Sequence, residues 1–395
     1  MQLEVVQDIN RFKELREDWD SLVEKSSSKS VFLTWEWLFN WWVHFKNHKE
    51  LLILLAKDEM TRQIIGIAPF CLQKLRLLYF FKFNKIMYIG SDKAASDFLD
   101  FIIAPDSEES VVKLIYEYLK KNNDRWDIVE MGPVDEGSGS IGWLKQNVNG
   151  EHRMVTLKAH VCPYLKLTET YEKLLQSLSL NMRQNLKRRT KSFENEKGMS
   201  FSLFKLRENI EGNIDKLFSL HLARFKSKSG NKNVESSFNG IEIKRFHYDI
   251  ASSFLGKQWL KLYFLNYENE PIASLYAFKY KDKLYYYQSG FNSNWEKLSL
   301  GTVLFGYAIK DSISEGLKEF HFLRGEEEYK SRWTKDYRET KNLVIFNSTI
   351  SGKMLHILMR GKKNLREVLK KVNVIMAGLR PNLMSARLRR SMNEG

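Results

Sequence analysis

Residues 284–323 read LYYYQSGFNSNWEKLSLGTVLFGYAIKDSISEGLKEFHFL. Leu284–Ser289 is an aromatic run of the kind that suits a strand. A loop from Phe291 to Gly301 follows, then a helical stretch from about Thr302 to Glu315, closed by Gly316. Phe320–Leu323 returns to a strand. Strand, loop, helix, strand is the crossover unit of an α/β sheet. The loop ends in Ser299-Leu300-Gly301-Thr302 at the helix start. Unpaired N–H groups and the helix dipole there favour an anion such as a pyrophosphate. Gly301 would let a ligand approach the backbone closely. A plain helix cap at Ser299 or Thr302 explains the same residues without a ligand.

The pattern repeats outward. In the first half, Phe12, Leu15, Trp19 and Leu22 lie at helical spacing. Phe32–Phe45 predicts a second, very aromatic helix with Thr34 as its N-cap. Leu51–Ala56 and Ile64–Leu72 read as a strand pair, Lys85–Gly90 and Asp97–Ile103 as further strands. Val111–Leu119 follows as a helix, Trp126–Met131 as a strand and Gly132–Gly142 as a Gly/Ser-rich loop. In the second half, Tyr171 to Phe193 is helical with a break near Ser179. Helices around Ile214–Phe225 and Phe246–Phe254 precede strands at Leu260–Leu265 and Ile272–Tyr280. Leu343–Asn347 is the last strand. The halves share an order of elements without a residue-level repeat.

A length of 395 residues with 43% hydrophobic content suits two domains with real cores. The expected partition is 1–165, 166–350 and a tail, 351–395. Cys71 and Cys162 allow at most one bridge, which excludes a disulfide scaffold or a Cys-rich zinc module. There is no signal-peptide pattern and no apolar run of spanning length. The expected location is cytoplasmic. Of the net charge of +15, the tail carries +9, from eleven basic and two acidic residues. Its Leu365, Val368, Leu369, Val372, Ile375 and Met376 fall at helical spacing among lysines and arginines. This basic amphipathic helix would dock on the protein, lie on anionic lipid at the inner face of a membrane, or meet another anionic polymer.

His321 to Trp333 (HFLRGEEEYKSRW) begins at a strand end, where open α/β sheets place ligands. It packs candidate bases (His321, Glu326), a candidate acid (Tyr329) and cations for anionic groups (Arg324, Lys330, Arg332) into one segment. A charged surface turn is the bland reading. Arg183, Lys187 and Lys191 make a basic helical stripe, a phosphate clamp or a solvated face. His221 and Arg224 share one helix face. Asp92, Asp97 and Asp100 could hold an amine or sugar hydroxyls, or cap turns; their spacing suits no metal. No Walker A, HExxH, GxSxG or GxGxxG element occurs, which argues against an NTPase, a zincin, an α/β-hydrolase and a Rossmann oxidoreductase.

With these residues in hand, the chain resembles the GNAT-superfamily acyltransferases of cellulose and exopolysaccharide biosynthesis (the CelD-type group), relatives of the Fem-type aminoacyltransferases. The resemblance runs from about residue 10 to about 347. It rests on Phe32-Leu33-Thr34-Trp35-Glu36-Trp37-Leu38 and Ser96-Asp97-Phe98-Leu99-Asp100 in the first half. In the second it rests on Arg183 to Arg189, Leu220 to Phe225, Tyr287 to Phe291, Ser299-Leu300-Gly301 and Phe322 to Glu326 with Tyr329-Lys330. It implies two tandem GNAT folds, α/β with mixed sheets flanked by helices, the second carrying the donor site. It implies transfer of an acyl group, usually acetyl from acetyl-CoA, to an amine or hydroxyl. The GNAT pyrophosphate loop usually reads Gln/Arg-x-x-Gly-x-Gly/Ala; here Glu296-Lys297-Leu298-Ser299-Leu300-Gly301 stands in that place.

The expectation is therefore an acetyl-CoA-dependent acyltransferase, without a metal, acting on a sugar, glycan or cell-envelope precursor. Glu326 or His321 would be the base and Tyr329 the acid. Ser299, Leu300, Gly301, Thr302 and Lys297 would hold the donor. Arg324, Lys330, His221, Arg224, Asp97 and Arg183 would contact substrate. One alternative is a Fem-like transfer from aminoacyl-tRNA, the only reading in which a nucleic acid takes part. The other is an inactive tandem GNAT serving as a binding module.

Overall fold

Apolar residues recur every second or every third to fourth position along most of the chain, and the elements follow that rhythm. The computed structural model describes residues 1–77, 81–148, 150, 152–205, 208–229 and 237–359. Strand β1 (Gln2–Val6) leads into helices α1 (Ile9–Glu14), α2 (Arg16–Lys25) and α3 (Trp35–Phe45). Strands β2 (Lys49–Lys57), β3 (Ile64–Leu77) and β4 (Phe81–Tyr88) follow, then the short β5 (Ile102–Ile103). Helix α4 (Glu108–Lys121), strand β6 (Ile128–Asp135), helix α5 (Gly139–Asn147) and strand β7 (Arg153–Lys166) end the first half.

The second half opens with helices α6 (Tyr171–Ser177) and α7 (Leu180–Asn195), strand β8 (Met199–Leu203), and helices α8 (Ile210–Ser229) and α9 (Ile241–Gly256). Strands β9 (Leu260–Tyr267), β10 (Glu270–Tyr280) and β11 (Lys283–Phe291) come next. Helix α10 (Leu300–Ser314), strand β12 (Glu319–His321), helix α11 (Glu328–Ser331), strand β13 (Tyr337–Phe346) and helix α12 (Ile350–Met359) complete the described chain. The basic amphipathic run from Leu365 to Met376 lies outside the described residues.

The strands form one 13-stranded mixed sheet in the order β1-β2-β3-β4-β6-β13-β7-β12-β11-β10-β9-β8, with β5 on β3. Each half holds one parallel pair spanned by a single helix: β4 with β6 across α4, and β11 with β12 across α10. Both pairs are short. The first runs from Lys85↔Ile128 to Met87↔Glu130, the second from Lys283↔Glu319 to Tyr285↔His321. Beyond those residues the strands part. In the second half the cause is visible: the Phe322 and Gly325 N–H groups donate to the carbonyls of Pro163 and Val161 at 2.9 and 3.0 Å. The chain after His321 thus follows β7 and leaves β11 behind. The last strand, β13, pairs with both β6 and β7 and joins the halves.

The aromatic block around Trp37 is the seam between the halves. Trp37 is fully buried and meets Phe246, Phe254, Phe278 and Tyr287 of the second half, while its indole N–H donates to Ser96 Oγ at 2.8 Å. Each such aromatic contact adds on the order of 0.5–1.5 kcal/mol beyond area burial. Thr34 caps α3 through Trp37 N–H, as its position predicts. Ser179 separates α6 from α7 and caps the latter.

Three readings change. The strand expected over Asp97–Ile103 shrinks to Ile102–Ile103, because Phe98 adopts a left-handed backbone (φ 56°) and the carboxylates of Asp97 and Asp100 bond off the ladder. The loop expected over Gly132–Gly142 is strand to Asp135 and helix from Gly139. Strand β7 escaped the sequence reading, since Lys158 and His160 interrupt its apolar pattern.

Candidate active site

The splay of β11 from β12 opens a cavity of about 470 Å³. Its walls bring together the start of α10 (Ser299, Leu300, Gly301, Thr302) and the segment after β12 (Tyr329, Arg332, Trp333). Arg224 from α8 and Ser289 from β11 line it as well. A neighbouring hollow of about 760 Å³ shares Met182, Asn185, Arg332 and Trp333, so the two are compartments of one groove along α7. Asn185 Oδ1 has no partner among the described residues.

The α10 start is built for an approach from outside. Ser299 is left-handed (φ 52°), an uncommon state for a residue with a Cβ, and its carbonyl already accepts from Thr302 N–H at 2.9 Å. Among the described residues, the N–H groups of Leu300 and Gly301 have no acceptor. A methyl placed on Gly301 would meet nothing within 4 Å, so the space above it is open. Arg189 of α7 donates to the Lys297 carbonyl at 2.7 Å and braces the loop. The Lys297 side chain is exposed and outside the cavity, whereas Glu296 is the one carboxylate on its wall.

Opposite the helix start lies a hydroxyl cluster. Arg224 Nη1 donates to Ser289 Oγ at 2.9 Å and to its carbonyl at 3.2 Å, and the guanidinium sits 5.3 Å over the Phe291 ring. Tyr286 and Ser289 share a hydroxyl hydrogen bond of 2.7 Å. Tyr286 and Arg224 lie beside the Tyr329 phenol, whose ring stacks on Phe305 at 5.6 Å. Burial and the neighbouring Tyr286 hold the Tyr329 proton far above the ordinary phenol range. It is a neutral donor at physiological pH. Tyr286 was missed in the sequence because nothing in YYYQSG marks which tyrosine turns to this face.

Other expected site residues are engaged elsewhere. Arg324 is bound to the fully buried Asp97 through its Nε at 2.9 Å and its backbone N–H at 3.0 Å, a bridge between the halves. Lys330 is buried; its ammonium donates to the Arg324 carbonyl at 2.6 Å and pairs with Glu327 at 2.9 Å. Both cations are thus committed within the protein. His321 is buried on the other face of the sheet, stacked between Tyr164 and Tyr285, with its pKa pushed down to about 3 by burial and by Arg338. Glu326 is exposed and Arg183 half-buried, and neither lines the groove. His221 is buried, bonds Gln288 at 3.1 Å, and is pushed down to about 4 by burial. Its helix backbone lies so close to β11 that a Cβ at Gly290 would fall 2.2 Å from the His221 nitrogen. Among the described residues no His/Cys/Asp/Glu group could hold a metal.

Residues 181–331, the stretch that builds this groove, match the acetyltransferase (GNAT) domain family. The chain carries a GNAT acyltransferase domain. Among solved structures it is similar to FemX, at 8% identity and TM-score 0.60, covering 90% of this chain and 99% of that one. It is also similar to L-PGS from Bacillus licheniformis (11%, TM-score 0.52, 86% and 95%). A conserved protein of unknown function from Bacteroides thetaiotaomicron gives 10%, 0.53, 88% and 100%. At such identities the likeness concerns the fold, and it extends over both halves rather than the GNAT domain alone. No curated protein matches the sequence.

Proposed function

We propose that the chain transfers an acyl group from a thioester donor, acetyl-CoA in the simplest case, to an amine or hydroxyl on a sugar, glycan or cell-envelope precursor. One observation carries this reading: the unpaired N–H groups at the start of α10 and the Tyr329–Arg224 cluster face one cavity at the strand splay. The donor diphosphate would rest on Leu300 and Gly301, with the Ser299 and Thr302 hydroxyls beside it. The β11 edge past Tyr285, which β12 has left, offers backbone groups to the donor arm. Attack of the acceptor on the thioester carbon breaks the C–S bond, and Tyr329 delivers its proton to the departing thiolate. Glu296, the carboxylate on the cavity wall, is the candidate base, tested by Glu296→Gln; Glu326 lies off the groove, and Glu326→Gln is its control. The acceptor enters along α7, where the Asn185 amide oxygen has no partner among the described residues. The GNAT-like resemblance to polysaccharide acyltransferases supports the glycan acceptor.

Isothermal titration with acetyl-CoA and CoA tests the donor. Micromolar binding of both, lost on blocking the α10 start with Gly301→Glu, is the expected result. The second reading, transfer from aminoacyl-tRNA, is favoured by the exposed Lys187, Arg188 and Lys191 on α7 beside the groove. Failure of both CoA species to bind, with binding of charged tRNA that falls steeply with salt, would select it. The same reading places the protein in the cytoplasm, with residues 360–395 on anionic lipid. Among the described residues no helix is long and apolar enough to cross a membrane. Cosedimentation with anionic liposomes, lost in a chain ending at Met359, tests that placement.

A further inference from the structure

The first half has its own strand splay, and a second cavity lies near it. This hollow, of about 610 Å³, is lined by the end of β6, the start of α4 and the 98–100 loop, and is closed by Tyr285 and His321 of the β11–β12 pair. Asp100, Glu108, Asp135 and Asp282 line it. The first turn of α4 carries Glu108 and Glu109, whereas that of α10 has no acidic residue. Among the described residues none of the four lining carboxylates enters an ion pair. The cations Lys283 and Arg338 on the wall are both taken by Glu319, at 3.3 and 2.8 Å, and Lys29 is exposed at the rim. An anionic donor would be repelled here.

The remaining wall is made for hydroxyl groups and a ring. Asp100 is buried and accepts from Ser28 Oγ at 3.1 Å; Ser138 lines the same hollow. The Tyr285 and His321 rings form its floor. Arg338 Nη1 lies 3.1 Å from His321 Nε2, and a guanidinium only donates, so Nε2 accepts and the neutral ring carries its proton on Nδ1. His321 is 2% exposed, and that Nδ1–H has no partner among the described residues. Tyr285 and His321 alternate with Tyr286, Phe320 and Phe322, which pack on the donor side, so the two cavities lie on opposite faces of the sheet.

We propose that this cavity binds a compact cation bearing hydroxyl groups, an amino sugar or amino alcohol, at a site separate from the donor groove. The ammonium is held by Glu108, Asp135 and Asp282, the hydroxyls by Asp100, Ser28 and Ser138, and one sugar face lies on Tyr285. The site does not depend on the donor reading, because no residue is shared.

The test is titration of the full chain with D-glucosamine, D-glucose and N-acetyl-D-glucosamine, followed by calorimetry. Glucosamine should bind at least about tenfold more tightly than either neutral sugar, since the amine meets unpaired carboxylates. Glu108→Gln and Asp135→Asn, conservative changes at partly exposed positions, should each weaken glucosamine at least fivefold without shifting Tm or acetyl-CoA affinity. Arg224→Ala should leave glucosamine binding unchanged. Equal affinity for glucose and glucosamine, absence of glucosamine binding, or indifference to both carboxamide variants would overturn the proposal. Glucosamine binding in the absence of any CoA binding would leave this site standing and remove the donor reading alone.

Discussion

The two strand splays are the same topological event with opposite electrostatics. In the second half the chain after β12 is drawn to β7, and the gap stays open between a bare helix start and a tyrosine–arginine cluster. In the first half the gap beyond Met87 and Glu130 is occupied by the protein itself. The 91–101 loop folds in, Leu99 N–H donates to the Pro133 carbonyl at 2.9 Å, and Asp97 reaches across to Arg324. What remains open there is acidic. One fold, used twice, thus yields one cavity suited to an anion and one suited to a cation, and the difference lies in loops and first helical turns rather than in the sheet.

The comparison can be broken at the bridge. Arg324→Ala leaves Asp97 charged and fully buried without its cation, so global stability should fall by about 3–5 kcal/mol in urea denaturation. A loss under 1 kcal/mol would mean that the filled splay is not held by this pair. On the open side, Tyr329→Phe should keep donor affinity and reduce turnover about 100-fold. Steady-state kinetics that show an unchanged rate would exclude Tyr329 as the acid. The acidic side offers a pH test. Burial pushes the Asp100 carboxyl up to about 6, with the neighbouring Ser138 and the bonds from Phe101 N–H and Ser28 Oγ opposing. A raised folded-state pKa means that its contribution is full below the unfolded value near pH 4 and is lost as pH rises through 6. Asp100→Asn should therefore gain about 1–2 kcal/mol at pH 7 and little at pH 4, read from melting curves. The smallest effect is at Gly301. Alanine there meets no atom, so stability should rise by no more than about 1 kcal/mol while CoA affinity falls.

Much of the architecture was legible because local and tertiary demands agree. The 284–323 crossover, the Thr34 cap and the Ser179 break were each readable from a few residues, since cap and periodicity are local properties. The aromatic helix was legible as a helix but not as a seam, because its partners Phe246, Phe254 and Phe278 lie more than 200 residues on. The 299–302 turn and Tyr329 were found as separate motifs. That Arg324 and Lys330 serve the protein's interior was not visible, since the Asp97 carboxylate and the carbonyls that hold them come from folding, not from spacing. Of the aspartates that cluster in the sequence, only Asp100 reaches the acidic cavity, since Asp97 is bound by Arg324; Glu108, Asp135 and Asp282 join it through the fold.

Strand β13 lies between β6 and β7 near the middle of the sheet, although it is the last strand among the described residues. A nascent chain on the ribosome therefore holds β6 and much of β7 without their shared neighbour until residue 346 has emerged. A protein truncated after Lys166 would keep both bare edges permanently, and edge-to-edge association is its expected fate. A cut at Lys166 thus divides β13 from both of its neighbours.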